Sequence, residues 1–418
     1  MRKYESYKPS GVDWIGVVPV GWKVMKTSWV FRIGSGTTPK SDNKSYYTEE
    51  GGFNWLQTGD LNDGRISETS KKITQKALEE YNLKTYRKGS LVIAMYGATI
   101  GKVGILDIET TVNQACCVLN KTKDIDEIYA FYLFQAEKPT LLRESYGGGQ
   151  PNISQDIISC QKIPIPPLHE QIAIADYLDA KCAKIDNVVA VQQKRIELLK
   201  ELKQSIITHA VTKGLDKNAK MKDSGIEWIG EVPEKWEKCR FKNFITLINK
   251  PTVGGNKIGL ENIESGSGKF LPSDSEFDGD GVGFVVDDIV YGKLRPYLMK
   301  VWVAEFSGNA VGDFFVFRVR DNADSSFVKY LMLSDGFTKE ANGATEGAKM
   351  PRVSSDFILT LGYYLPQKKE QTSIAEFLDK KCAVIDRQIA KVEKQIEMLN
   401  EYKQSVITEC VTGKRKVC

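Results

Sequence analysis

The stretch that comes nearest to chemistry is Gly97-Ala98-Thr99-Ile100-Gly101-Lys102-Val103. Glycine amides followed by a lysine are how a phosphate loop holds a nucleotide, but that loop needs four residues between its glycines and a Ser or Thr after the lysine to reach a metal. Here the spacing is one residue short and Val103 stands in the metal-binding place. The glycines therefore read as turn residues at a strand end. Gly266-Ser267-Gly268-Lys269 lacks the upstream glycine altogether. A loop of the N/D-P-P-Y/F type is excluded, because Pro166-Pro167 lies between Ile165 and Leu168. Only two histidines are present, His169 and His209. The eight cysteines form no C-x-x-C pair, so neither a His/Cys metal site nor imidazole-driven nucleophilic catalysis is expected. No carboxylate spacing marks a metal-dependent nuclease. No cofactor, no metal and no catalytic residue is expected, and the thiols read as the reduced thiols of a cytoplasmic protein.

Side chains suited to binding are more plentiful. Thr37, Thr38, Lys40, Lys44, Tyr46, Gln57 and Thr58 interleave basic, amide and aromatic groups near glycine-rich bends, and Gln150 and Asn152 follow the run Gly147-Gly148-Gly149. Farther along come Lys250, Asn256 and Lys257, then Lys293, Arg295 and Tyr297, then Lys349 and Arg352. Asn, Gln, Arg and Lys pair with base edges, while Lys, Arg and backbone amides hold phosphates, so these are candidate contacts to double-stranded DNA. The same residues also suit ordinary polar surface loops. Arg295, in a turn before Pro296, can reach a phosphate or the edge of a guanine, or can pair with Asp287 or Asp288 nearby.

The elements that must position these groups are duplicated. The segment from Glu170-Gln171 to Thr212 recurs, without a gap and two hundred residues later, from Glu370-Gln371 to Thr412. An opener, Ser10-Gly11-Val12-Asp13-Trp14-Ile15-Gly16 with Pro19 and Trp22, recurs as Ser224-Gly225-Ile226-Glu227-Trp228-Ile229-Gly230 with Pro233 and Trp236. Pro151, Ser154 and Asp156 align with Pro351, Ser354 and Asp356. Between these supports lie two bodies, 23–149 and 237–349, that do not align well.

The repeated segments carry an apolar stripe in steps of four and three. Its members are Ile185, Val189, Gln192, Ile196, Leu199, Lys203 and Ile206, then Ile385, Ile389, Val392, Ile396, Leu399, Lys403 and Val406. That is the seam of a coiled coil, in which the polar members cost stability and fix register. Each helix is expected to run about 40 residues, or about 60 Å. In the bodies, Ser90 to Tyr96, Phe284 to Tyr291 and Phe314 to Val319 read as strands, and 125–136 and 326–333 as helices.

Composition is that of an ordinary globular chain, with 41% hydrophobic and 27% charged residues. Neither a signal peptide nor a membrane span is expected. A net charge of +4 is too mild to propose nucleic acid by itself. The first body is near neutral and the second mildly acidic, so partners are expected to supply much of the phosphate contact.

The openers, together with the helix start Pro166-Pro167-Leu168-His169-Glu170-Gln171 running to Leu178-Asp179, resemble the specificity subunit of type I restriction–modification enzymes. The second helix start keeps Glu370-Gln371 but departs from the proline run. The resemblance spans nearly the whole chain. It implies an α+β architecture: two globular α/β target-recognition domains joined by two long helices that form an antiparallel coiled coil, pseudo-twofold. The expected divisions are 1–168, a first recognition domain; 169–214, the central long helix; 215–368, a second recognition domain; and 369–418, the C-terminal long helix. It also implies two modification (methyltransferase) subunits and motor-nuclease restriction subunits as partners, with the chemistry outside this chain. The alternative is a coiled-coil scaffold carrying two protein-binding domains.

Overall fold

The computed structural model describes residues 3–120, 122–145, 152–252, 255–347 and 349–417. The architecture is α+β, with several sheets and two long helices, Leu168–Lys213 of 46 residues and Lys368–Val411 of 44. At 1.5 Å per residue they are ~69 and ~66 Å long. The chain forms two compact units. The first comprises 1–191 and 395–418, the second 192–394, so the division falls inside both long helices.

In the first unit, strands Arg32–Ser35, Cys116–Asn120, Leu91–Ala94, Val103–Leu106 and Arg65–Ile66 lie side by side in that order. A second sheet holds Thr111–Val112, Phe53–Leu56, Lys71–Ile73 and Tyr47–Thr48. Helix Glu127–Arg143 is capped by Asp126, whose carboxylate accepts from the N–H groups of Ile128 and Tyr129. Leu91–Ala94 is buried throughout, which is why its residues make a continuous apolar run rather than an alternating one.

The second unit repeats the plan. One sheet orders Ile245–Ile248, Phe314–Val319, Ile289–Gly292 and Val301–Val303, and another Pro251–Thr252, Gly281–Phe284, Gly308–Val311 and Lys257–Ile258. The single strand expected over Phe284 to Tyr291 is in fact two strands separated by a turn. Asp287 sits there at φ 70° and the Asp288 carboxylate accepts from Val285 N–H at 2.9 Å. An Asp-Asp pair favours a turn over a ladder, and that local preference outweighs the flanking β-branched residues. The helical reading over 326–333 falls on Ser325–Met332, and that over 125–136 is the first part of Glu127–Arg143.

Each opener is a two-stranded ribbon, Tyr7–Pro9 with Val17–Pro19 and Met221–Asp223 with Glu231–Pro233. It docks on the start of a long helix. Trp22 is buried and donates its indole N–H to Glu170 at 3.0 Å; Trp236, also buried, donates to Glu370 at 3.1 Å. The neighbouring glutamines are buried as well. Gln171 accepts from Asp126 N–H and donates to the Pro166 carbonyl, both at 2.9 Å, while Gln371 accepts from Asp324 N–H at 2.9 Å and donates to Pro366 at 2.8 Å. The Glu-Gln pair thus ties opener, body and helix start together. The end of the other long helix closes the joint. In the first unit Gly413, at φ 74°, lies so close to the opener that a Cβ there would sit 2.3 Å from Pro19 Cδ.

Every seam position is buried or half-buried, whereas Lys194, Glu197, Lys200, Glu201, Lys391, Glu393, Lys394 and Glu397 beside them are exposed. Within the first unit Lys403 Nζ lies 2.7 Å from Asp186, and within the second Lys203 Nζ lies 2.7 Å from Asp386. Each seam lysine therefore meets a carboxylate on the other helix. No helix among the described residues is long and apolar enough to cross a membrane.

Two outcomes follow from the packing. Glu370→Ala leaves the Trp236 indole N–H buried without an acceptor, and is expected to cost about 1–3 kcal/mol in urea unfolding followed by tryptophan fluorescence. Glu137 lies fully buried in helix Glu127–Arg143 with no hydrogen-bond partner among the described residues. Burial, with the nearby Glu144, raises its carboxyl from 4.5 to about 8. Below about pH 4.5 it is neutral in both folded and unfolded chains. Above that the unfolded chain ionises first, so stability is lost as pH rises toward about 8. Glu137→Gln should match the parent near pH 4 and gain at least about 1 kcal/mol by pH 7, roughly 2–4 °C in Tm for a unit of this size.

Candidate nucleic-acid interface

The binding candidates of the first unit gather at the four-stranded sheet. Thr38, Lys44, Tyr47, Gln57, Lys71 and Lys72 line a groove of about 700 Å³, in which three lysines face one carboxylate, Glu49. Lys71 and Lys72 were missed by sequence reasoning. Both lie on the strand Lys71–Ile73, and their signal in the sequence is the adjacent basic pair itself. Thr38 Oγ1 bonds to Gln114 Oε1, and Thr37 is exposed beside them, its carbonyl accepting from Trp55 Nε1 at 3.3 Å. Lys40 is exposed, with its N–H on Tyr81. Thr58 opens the short turn Thr58–Asp60, whose Asp60 caps Gln57 N–H at 2.8 Å. Tyr46 points inward instead: it is buried and donates to Glu80 at 2.5 Å, a bond that raises its pKa. Asn152 bridges Tyr96, and Gln150 lies outside the described residues.

The phosphate-loop lookalike is a tight turn between two antiparallel strands. Ala94 N–H donates to Lys102 O at 2.9 Å and Gly101 N–H to Ala94 O at 2.8 Å, with Gly97 at φ 86° and Gly101 at φ 72°. The Ile100, Gly101 and Lys102 amides are spent on carbonyls of the turn, at 3.1, 2.8 and 2.9 Å.

In the second unit two clusters form. Lys250 lines a groove of about 620 Å³ with Asn249, Ser307, Asn309 and Arg318. Asn256, whose carbonyl accepts from Asn309 N–H at 2.8 Å, and Lys257, paired with Asn309 in the sheet, are exposed at its rim. The other cluster surrounds Asp313. Arg352 binds both its oxygens, Nε at 2.8 Å and Nη2 at 3.0 Å, and Lys293 Nζ stands 4.0 Å away. Both cations hold the Asp313 carboxyl below its ordinary range, the Arg352 hydrogen bonds most strongly. Arg295 adjoins them, its N–H on the Pro351 carbonyl at 2.8 Å. Tyr297 is 50% exposed, and Lys349 is exposed nearby. The suggested Arg295–Asp288 pair does not form. Asp288, at 2% exposure, is held by Arg318 through two 2.8 Å bonds, an arginine thirty residues distant that the cross-strand pairing brings near.

Among the described residues no group of three His, Cys, Asp or Glu side chains could hold a metal ion. Two bodies of one plan, each joined to long helices and each bearing basic grooves and loops, define a duplicated binding protein. Residues 19–201 match the family described as the type I restriction modification DNA specificity domain. The chain is 28% identical to the MjaVIII specificity subunit of Methanocaldococcus jannaschii, over 96% of this chain and 94% of that one. It is 22% identical to the EcoKI specificity subunit of Escherichia coli, over 95% and 90% respectively. Its fold is similar to a solved chain of a type I restriction–modification complex, described for its assembly and conformational transition, with a TM-score of 0.71 and 14% identity over 94% of this chain and 98% of that one. The HsdS subunit from Thermoanaerobacter tengcongensis follows at TM-score 0.50 and 16% identity, over 95% and 98%. Over nearly its whole length the chain is similar to type I restriction–modification specificity subunits, and residues 19–201 match their DNA specificity domain.

Because the Tyr46 hydroxyl is committed to Glu80, Tyr46→Phe is expected to lower stability by about 1 kcal/mol and to leave DNA affinity unchanged. Thermal unfolding and a mobility-shift titration on the same preparation check both halves of that statement.

Proposed function

We propose that this chain is the DNA sequence-specificity subunit of a type I restriction–modification complex, non-catalytic by itself. Each body, 1–168 and 215–368, reads one half of a bipartite target in double-stranded DNA. The long helices, 169–214 and 369–418, pair as an antiparallel coiled coil with pseudo-twofold symmetry, set the distance between the two reading bodies and dock two modification subunits. Those subunits methylate adenine, and motor-nuclease subunits join them for cleavage.

What supports this is the reciprocal rooting of the helices. Each compact unit takes the start of one long helix and the end of the other, and each has the same lysine–aspartate bond between them, Lys403 with Asp186 and Lys203 with Asp386. A chain that duplicates its joints so closely while letting its bodies diverge does one kind of task twice on different objects. The polar seam pairs favour one register over slipped ones, since a slip strands a half-buried lysine without its carboxylate. The candidate contacts fall in both bodies, so neither alone carries the whole target.

Removing one heptad from each helix, 189–195 and 389–395, shortens the rod by about 10 Å, or about three base pairs of DNA. Mapping methylated adenines in cells that express the chain with its modification subunits should then show a changed spacer between two unchanged half-sites. Altered half-sites with an unaltered spacer would count against the division of labour, and absence of sequence-specific methylation by the intact chain would favour the scaffold alternative.

A further inference from the structure

The turn joining Ile289–Gly292 to Val301–Val303 rests on two left-handed residues that are not glycine. Arg295 has φ 52° and Met299 φ 48°, with the short turn Pro296–Leu298 between them. The matching turn of the first body uses Gly97 and Gly101 at those places. The hydrogen bonds agree: Gly292 N–H donates to Lys300 O as Ala94 N–H does to Lys102 O, and Leu294 bridges Arg352 as Tyr96 bridges Asn152. A left-handed arginine is costly and persists only where its surroundings hold it. Here Arg295 N–H is fixed on Pro351 and its carbonyl accepts from Leu298 N–H at 2.9 Å. At the far end Met299 O accepts from Gly266 N–H at 3.1 Å, and Met299 Sδ accepts from Gln204 Nε2 of the central long helix at 3.2 Å. The backbone is pinned at both ends, yet the Arg295 side chain is exposed and makes no hydrogen bond or ion pair among the described residues. The neighbouring cations differ. Arg352 and Lys293 are both drawn to Asp313.

We propose that Arg295 reads a guanine in the second half-site, and that Asp313 is a positioning residue that withholds Arg352 and Lys293 so that the turn presents one free guanidinium. This rests on the reading of the second body as a DNA-recognition domain. The O6 and N7 atoms of guanine accept two parallel N–H bonds from an arginine fork in the major groove. A fork on a fixed backbone has less freedom to lose on binding. A phosphate is met equally well by a flexible lysine, and a strained, pinned arginine is a poor solution to that simpler task.

The test is binding of the full chain, assembled with its two modification subunits, to duplexes carrying its mapped target and single base-pair changes in each half. Arg295→Gly tolerates the left-handed backbone, so the Tm should hold or rise. Affinity for the unchanged target should fall about 10- to 100-fold. Discrimination should vanish at one G·C pair of the second half and stay intact throughout the first. Grafting the first body's turn, with Arg295→Gly, Pro296→Ala, Tyr297→Thr, Leu298→Ile and Met299→Gly, should do the same on a backbone already suited to those residues. Asp313→Asn should steepen the salt dependence by about one or two, as freed cations reach phosphates, and weaken discrimination in the second half only. Uniform weakening by Arg295→Gly on every probe, with the salt slope lowered by about one, would assign Arg295 to a phosphate and overturn the proposal. So would unchanged binding, or a second half-site with no guanine in either strand. An unchanged salt slope in Asp313→Asn would remove the positioning role alone. If the unaltered complex prefers no sequence in its second half, the DNA-recognition reading itself fails.

Discussion

The structure depends on a buried hydrogen bond between a tryptophan and a glutamate. Trp22 with Glu170, and Trp236 with Glu370, fasten each opener to the first turn of a long helix. A buried indole N–H without an acceptor and a carboxylate near a core without donors each cost free energy. Each satisfies the other. The adjoining glutamine, with no exposed surface to speak of, takes up backbone groups at the start of the body's own helix and at the proline before the long one. One short sequence motif thereby fixes the mutual placement of opener, body and helix.

The consequence is freedom elsewhere. Because the joint is local and self-sufficient, the bodies can differ without loosening their hold on the helices. The first joins its candidate contacts to a sheet groove rich in lysine, the second to a groove and an acidic-centred cluster around Asp313. The turns after Leu91–Ala94 and after Ile289–Gly292 show the same left-handed backbone written in different residues, glycines at 97 and 101 and an arginine and a methionine at 295 and 299. Where glycine suffices for the conformation, a non-glycine residue implies that its side chain is wanted.

Function in this arrangement is a matter of presentation rather than reaction. Under the proposed function the helices set separation and the loops present groups that pair with bases and phosphates, while methyl transfer and strand cleavage are assigned to other subunits. The moderate net charge fits this division, since phosphate contact can be spread over an assembly instead of being concentrated on one chain.

Much of this was written in the linear sequence. The duplication, the two openers, the Glu-Gln motif and the four-three stripe are local patterns, and periodicity of 3.6 or 3.5 is a local consequence of helix geometry. Hence the burial of the four-three stripe and the strand Phe314–Val319 could be read directly. What the sequence could not say was which polar groups would be spent on one another. Tyr46 was a candidate contact but is consumed by Glu80, thirty-four residues away; Arg352, another candidate contact, is bonded to Asp313; Asp287 or Asp288 was offered to Arg295, and Asp288 went to Arg318. The seam lysines looked like defects until their aspartates appeared on the opposite helix. Lys71 and Lys72 entered the groove only because strand pairing placed Lys71 opposite Trp55 and Lys72 between Thr48 and Asn54. Backbone conformation is decided by near neighbours. The fate of a charge is decided by whichever partner the tertiary fold brings within three ångströms, and sequence separation carries almost no information about that.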